Sequence, residues 1–97
     1  MFNLYWFDSL MFQLFIKDLV WNLFGEGNDV FREGDWTKSI EMFTEALSIA
    51  EYADSEDICV PASLLEKLYA NRAAAYLNIV PVSRPHLIPV LIQPKSL

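Results

Sequence analysis

Apolar and polar positions follow a helical period over most of this chain. Residues 2–20 hold neither glycine nor proline, and Phe2, Trp6, Leu10 and Leu14 recur at i+4 spacing, with Tyr5, Phe12 and Ile16 widening the stripe. So broad an apolar face predicts a helix buried on more than one side. Residues 21–34, WNLFGEGNDVFREG, read as a second helix. Its interior glycines, Gly25 and Gly27, each cost about 1 kcal/mol of helix propensity against alanine, so they mark places where another helix approaches closely. Gly34 can adopt the left-handed backbone that ends such a helix.

Residues 36–53 predict a third helix, with Asp35 placed to cap its free N–H groups. Trp36, Ile40, Phe43, Leu47 and Ala50 form one stripe, and Thr37, Glu41, Thr44, Ser48 and Glu51 fall on the opposite side. The stripe is core. DSEDICV is a polar link, and Pro61 suits the first turn of a helix because its missing N–H is harmless there. Residues 61–79 then carry Leu65, Leu68, Tyr69, Arg72 and Tyr76 at spacings of three and four, until Pro81 stops the helix. Prolines at 81, 85, 89 and 94 exclude a helix interior or a central strand from the tail. The fold class is therefore all-α. An apolar N-terminal helix spans 1–20, a helical domain spans 21–79, and a Pro-rich extended or disordered tail spans 80–97.

Charge narrows the partners. The 97 residues carry a formal net charge of −6, and residues 26–57 alone hold ten acids against Arg32 and Lys38. Nucleic-acid binding draws on Lys and Arg neutralising phosphates, so no direct nucleic-acid binding is expected. With 54% hydrophobic residues the chain has ample material for a core, and the harder task is hiding all of it. Cys59 is the one cysteine, which excludes an internal disulfide and a Cys-rich zinc site. It reads as a small buried or half-buried apolar residue. His86, the one histidine, reads as an exposed tail residue. No acid–base pair or nucleophile set accompanies either one, so the expectation is a non-enzyme without metal or cofactor. The N-terminal stretch has no base before Lys17 and is interrupted by Asp8, so it fits neither a signal peptide nor a spanning helix.

Residues 23–50 resemble a tetratricopeptide repeat, a two-helix hairpin of roughly 34 residues. Leu23, Gly27, Val30-Phe31, Gly34-Asp35-Trp36, Ser39, Phe43 and Ala46 stand at the positions of that pattern. Small residues there let two helices approach, and large ones fill the space beside them. Asn71-Arg72-Ala73-Ala74-Ala75-Tyr76 looks like the opening of a second repeat in co-chaperone-type members. Gly27 and its counterpart Ala73 are separated by 46 positions rather than 34, and EYADSEDICVPA accounts for the extra 12. The long insertion is similar to the N-terminal repeat region of CCCH-type zinc-finger proteins of family seven, large RNA-binding proteins linked to microRNA maturation. None of their Cys-Cys-Cys-His clusters is in this sequence. The loss of pattern after Ile79 reads as truncation, with unrelated residues at both ends.

The resemblance implies a protein–protein interaction module, intracellular in nucleus or cytoplasm, and a fold of one and a half repeats. It implies a peptide groove lined by first helices. Phe24, Asn28, Phe31 and Arg32 would share one face, with Asn71, Ala74 and Asn78 on the next helix. Asn28 and Asn71 match two positions of the chaperone carboxylate clamp, but Phe24 replaces its first Lys and the third repeat is absent, so a working clamp is not expected. The residues equally allow Asn28 and Asn71 to hydrogen-bond a neighbour and fix helix packing. Arg72 is expected to pair with an acid. The partners are protein or peptide segments, with self-association possible, and residues 2–20 are expected to fold onto the hairpin as a cap. The competing readings are an unstable or non-functional truncated product and a membrane-associated peptide acting through residues 2–20.

Overall fold

The structure, a computed structural model, describes residues 4–80. Three helices follow in order: α1 over Leu4–Arg32, α2 over Trp36–Ser55 and α3 over Ala62–Ile79. Among the described residues there is no strand. The all-α expectation holds, and a tetratricopeptide-like hairpin is compatible with the arrangement. The proline-rich tail and His86 lie outside the described residues.

The α1–α2 turn shows why a hairpin forms here. Gly34 sits at φ +87°, its N–H bonds the Phe31 carbonyl at 3.0 Å, and the Asp35 N–H bonds the Val30 carbonyl at 3.0 Å. This paired pattern satisfies carbonyls that the helix end leaves free. Asp35 then caps α2, its side chain accepting from the Lys38 N–H at 3.0 Å. The same device ends α2. Asp57 takes φ 58°, its N–H bonds the Asp54 carbonyl at 3.1 Å, and the Ile58 N–H bonds the Ala53 carbonyl at 2.8 Å. Here an aspartate occupies a conformation that favours glycine, and it adds negative charge at a helix C-terminus. Asp57→Gly is therefore expected to raise stability by about 0.5–1 kcal/mol, read as a higher urea midpoint at unchanged slope.

The core runs in three patches along the bundle. The central one joins Val20, Leu23 and Phe24 of α1, Phe43, Leu47 and Ala50 of α2, and Leu64 and Leu68 of α3. Ile16, Ala53 and Ile58 close one end. Phe31, Ala74 and Ala75 close the other, with Trp36 and Ile40 against them. The α2 stripe behaves as its period predicts: Phe43, Leu47 and Ala50 are buried, and Thr37, Glu41, Thr44, Ser48 and Glu51 are exposed.

Several expectations are corrected. No break separates residues 2–20 from 21–34. KDLVWN at that junction contains no stop signal, and an Asn22–Asp18 side-chain bond of 3.2 Å ties successive turns together. Because α1 is one continuous helix, the later part of that segment covers the hairpin through Ile16, Val20 and an edge-on Phe12–Tyr52 contact at 6.5 Å, while the turns before it run on past the hairpin. Leu10, Met11, Leu14 and Phe15 are exposed there, and of the apolar residues named for that segment Ile16 is buried. The buried face of α3 is Leu64, Leu68, Asn71, Ala74 and Ala75, which shares Leu68 with the expected line Leu65, Leu68, Tyr69, Arg72 and Tyr76 and otherwise lies beside it. Tyr69 and Tyr76 are exposed, each one position beyond an inward-facing residue, Leu68 and Ala75. Cys59 is exposed, because the neighbouring Ile58 takes the inward position against Ala53. Pro61 stands at the N-cap rather than inside the first turn, one residue from its expected place.

Candidate functional site

The two glycines of α1 have different surroundings. A Cβ on Gly27 would stand 2.5 Å from Phe43 Cε1 and 2.7 Å from Cδ1, whereas a Cβ on Gly25 would meet nothing within 4 Å. Gly27 is thus the point of close approach between α1 and α2. Phe43 lies against it with no exposed surface, and Phe24 packs beside Phe43 with ring centroids 6.5 Å apart. Further along, Phe31 meets Trp36 edge-on at 4.9 Å.

The expected groove residues are placed differently from a ligand-binding face. Phe24, Asn28, Phe31, Asn71 and Ala74 are all buried, because α1 and α3 meet directly along that line. A peptide has no access to them in this state. Asn71 donates from Nδ2 to Asn28 Oδ1 at 2.8 Å in the buried interior. Of the two roles open to these amides, the structure displays the packing one. Arg32 is exposed and paired with Asp29 at 3.2 Å on its own helix. Asn78 is half-buried, donating to the Ala74 carbonyl at 2.9 Å. Arg72 does not make the expected ion pair. Its guanidinium reaches the Thr44 hydroxyl at 3.4 Å and stands 5.6 Å from the Tyr69 ring centre.

Two buried amides that share a hydrogen bond are poorly placed for a carboxylate clamp. A peptide with an acidic chaperone-type C-terminus is therefore expected to give no measurable heat in a micromolar calorimetric titration. A low-micromolar dissociation constant lost in Asn28→Ala would contradict this.

The accessible surface lies on the other side of α3. Tyr69, Ala73, Tyr76, Leu77 and Val80 follow each other at helical spacing, and all are exposed. Beside them, between α2 and α3, opens a cleft of about 300 Å³ lined by Leu47, Ala50, Ile58, Val60, Leu65 and Tyr69, with Glu51 and Asp54 also on its wall. That volume is at the small end for ligand pockets, and its walls suit an apolar side chain carrying positive charge. The sequence did contain a signal for this face. The 46-residue offset that relates Gly27 to Ala73 also relates Leu23 to Tyr69 and Phe31 to Leu77. In α1 these positions hold α2; in α3 they face outward.

Among the described residues no group of three His, Cys, Asp or Glu side chains could hold a metal ion, and no helix is long and apolar enough to cross a membrane. No family model matches the chain, and no solved structure matches it. Two human proteins match it over 68 residues, 70% of the chain: zinc finger CCCH domain-containing protein 7A at 54% identity and zinc finger CCCH domain-containing protein 7B at 44%. The chain is homologous to that region of both, and it spans about 7% of their length.

Proposed function

We propose that this chain is a protein–protein interaction module of the tetratricopeptide type, one that holds helical segments against the outer face of α3. The observation that carries the reading is the repeated register. Tyr69, Ala73 and Leu77 reproduce on α3 what Leu23, Gly27 and Phe31 present to α2 on α1. A surface with that spacing accepts an amphipathic helix running beside it. Glu51 and Asp54 in the adjoining cleft favour a helix with basic flanks and disfavour nucleic acid. The reading assigns no reaction to the chain. Homology to a small region of much longer CCCH zinc-finger proteins supports a module working as part of a larger RNA-related regulator inside the cell. A role in post-transcriptional control, and in microRNA processing in particular, rests on the family resemblance alone.

The α2 sequence itself is the natural probe. A peptide of residues 36–55 carrying F43L, E41K, E45K and E51K keeps the apolar stripe, removes the ring that the Ala73 methyl group would exclude and turns the polar side basic. It is expected to bind the full chain with a dissociation constant of roughly 10–100 μM, the ordering of a short helix offsetting much of the contact energy. Tyr76→Glu should abolish binding without lowering the helicity of the chain, because Tyr76 is exposed. Absence of binding, or binding that ignores Tyr76→Glu, removes the reading.

A further inference from the structure

We infer that the exposed first turns of α1 from one copy of this chain dock along the outer face of α3 of another, so that the module associates with itself head to tail. This rests on the α3 face proposed above and names its occupant. Two apolar helix surfaces are left open on the same chain. One is Leu10, Met11, Leu14 and Phe15 of α1, and the other is Tyr69, Tyr76, Leu77 and Val80 of α3. At the helical rise per residue the α1 stripe is about 8 Å long and the α3 stripe about 16 Å, so the first fits within the second.

The register of α3 says what kind of element fits. In α1, Gly27 admits the Phe43 ring at a distance no Cβ could tolerate. Ala73 takes the equivalent place on α3, and its methyl group favours a less bulky insert such as leucine. Leu10 and Leu14 supply such side chains on an element that is already helical, so little ordering entropy opposes docking. The same chain cannot satisfy itself. Helix α1 continues without a break from its exposed turns into the core at Ile16 and Val20, which holds those turns away from the outer side of α3.

Charge agrees. Asp8 is the one charged residue from Leu4 to Ile16. Among the described residues Arg72, at the border of the α3 stripe, meets a hydroxyl and a ring rather than a carboxylate. A second copy's Asp8 provides one. The half-exposed large side chains on the two stripes together offer on the order of 1,000 Å² of apolar surface, the lower bound for a specific interface.

The test uses the full chain and two variants, one in α1 (Leu10→Glu with Leu14→Glu) and one in α3 (Tyr76→Glu with Leu77→Glu). All four positions are exposed, so each variant should keep its helicity by circular dichroism. Sedimentation velocity should show the parent chain associating reversibly, and each variant alone as a monomer with association weakened by about tenfold or more. Mixing the two variants leaves one intact α1 stripe and one intact α3 stripe, and the mixture should form a complex that stops at one to one. A monomeric parent chain overturns the inference. So does an α3 variant that still dimerises, which would mean an α1–α1 contact, and so does a mixture that stays monomeric. Flotation of a monomeric parent with phosphatidylcholine vesicles overturns it in favour of a lipid surface. The basic α2-type peptide reads the α3 face without needing α1, so a monomeric parent that binds the peptide refutes self-association and leaves the interaction module standing.

Discussion

Gly27→Val is expected to lower the unfolding free energy by about 2–3 kcal/mol, whereas Gly25→Ala should raise it by up to about 1 kcal/mol. The two glycines are two residues apart on the same helix and have the same propensity cost. Their surroundings alone separate them. At Gly25 a Cβ enters open space, so the substitution recovers backbone entropy and little else. At Gly27 the first added carbon already collides with two atoms of the Phe43 ring, and valine adds two methyl groups beyond it. Phe43 has no exposed edge and Phe24 stands beside it, so the ring cannot swing aside without displacing the centre of the core. Either α2 moves outward along its length or the ring leaves its rotamer. For a chain of this size that loss is a large share of the total stability. Urea unfolding followed by circular dichroism decides it. A Gly27→Val chain as stable as the parent would mean that α1 and α2 do not meet at this point.

The parts of the fold legible in the sequence were those where burial is one-sided. Helix α2 has large apolar residues on one face and acids, serine and threonines on the other, so its period alone identified Phe43, Leu47 and Ala50 as core. The turn at Gly34-Asp35 was legible because both residues perform a local task that few others can. On helix α3 the sequence did not separate the inner face from the outer one, for a physical reason. Large side chains look like core, but here Asn71, Ala74 and Ala75 are the buried ones, and Tyr69 and Tyr76 point outward. The stripe Leu64–Leu68–Asn71–Ala75 was present at spacings of four, three and four, with residues too small to draw attention. The extent of α1 was hidden for the opposite reason. Its first half is apolar on nearly every side, so no polar face showed where packing begins, and no residue between Lys17 and Asn22 marks a stop. Burial of the groove candidates Phe24, Asn28, Phe31, Asn71 and Ala74 was hidden as well. Phe24, Asn28 and Phe31 would line an open surface only if α1 and α3 stood apart, and they are in contact.

Asn71→Ala is expected to cost about 2–3 kcal/mol, and Asn28→Ala a similar amount, while the double substitution costs less than the sum by about 1 kcal/mol or more. The two amides lie 43 positions apart in sequence and within 2.8 Å in space, and they form the polar point in an otherwise apolar contact of α1 with α3. Both side chains are nearly sealed from solvent, at 4% and 1% exposure. Removing Asn71 leaves the Asn28 carbonyl oxygen in the interior without its donor and opens a small void beside it, two costs that add. Removing both deletes the stranded group along with its partner, and only the void and lost packing remain. The non-additivity therefore measures the bond itself. Neither amide titrates, so the coupling should be the same at mildly acidic and neutral pH. The bond also selects one register. Sliding α3 along α1 by one turn would bury both amides against Phe24, Phe31 or Ala75 with no partner, so the pair specifies the alignment that the surrounding small and apolar residues leave loosely determined. In the double substitution the native contacts of Phe31 with Ala74 and Ala75 should become less well ordered before the helices are lost. Amide hydrogen exchange in α3 would then rise more than circular dichroism falls. If the two single substitutions prove strictly additive, the amides contribute independently and the register is set by packing alone.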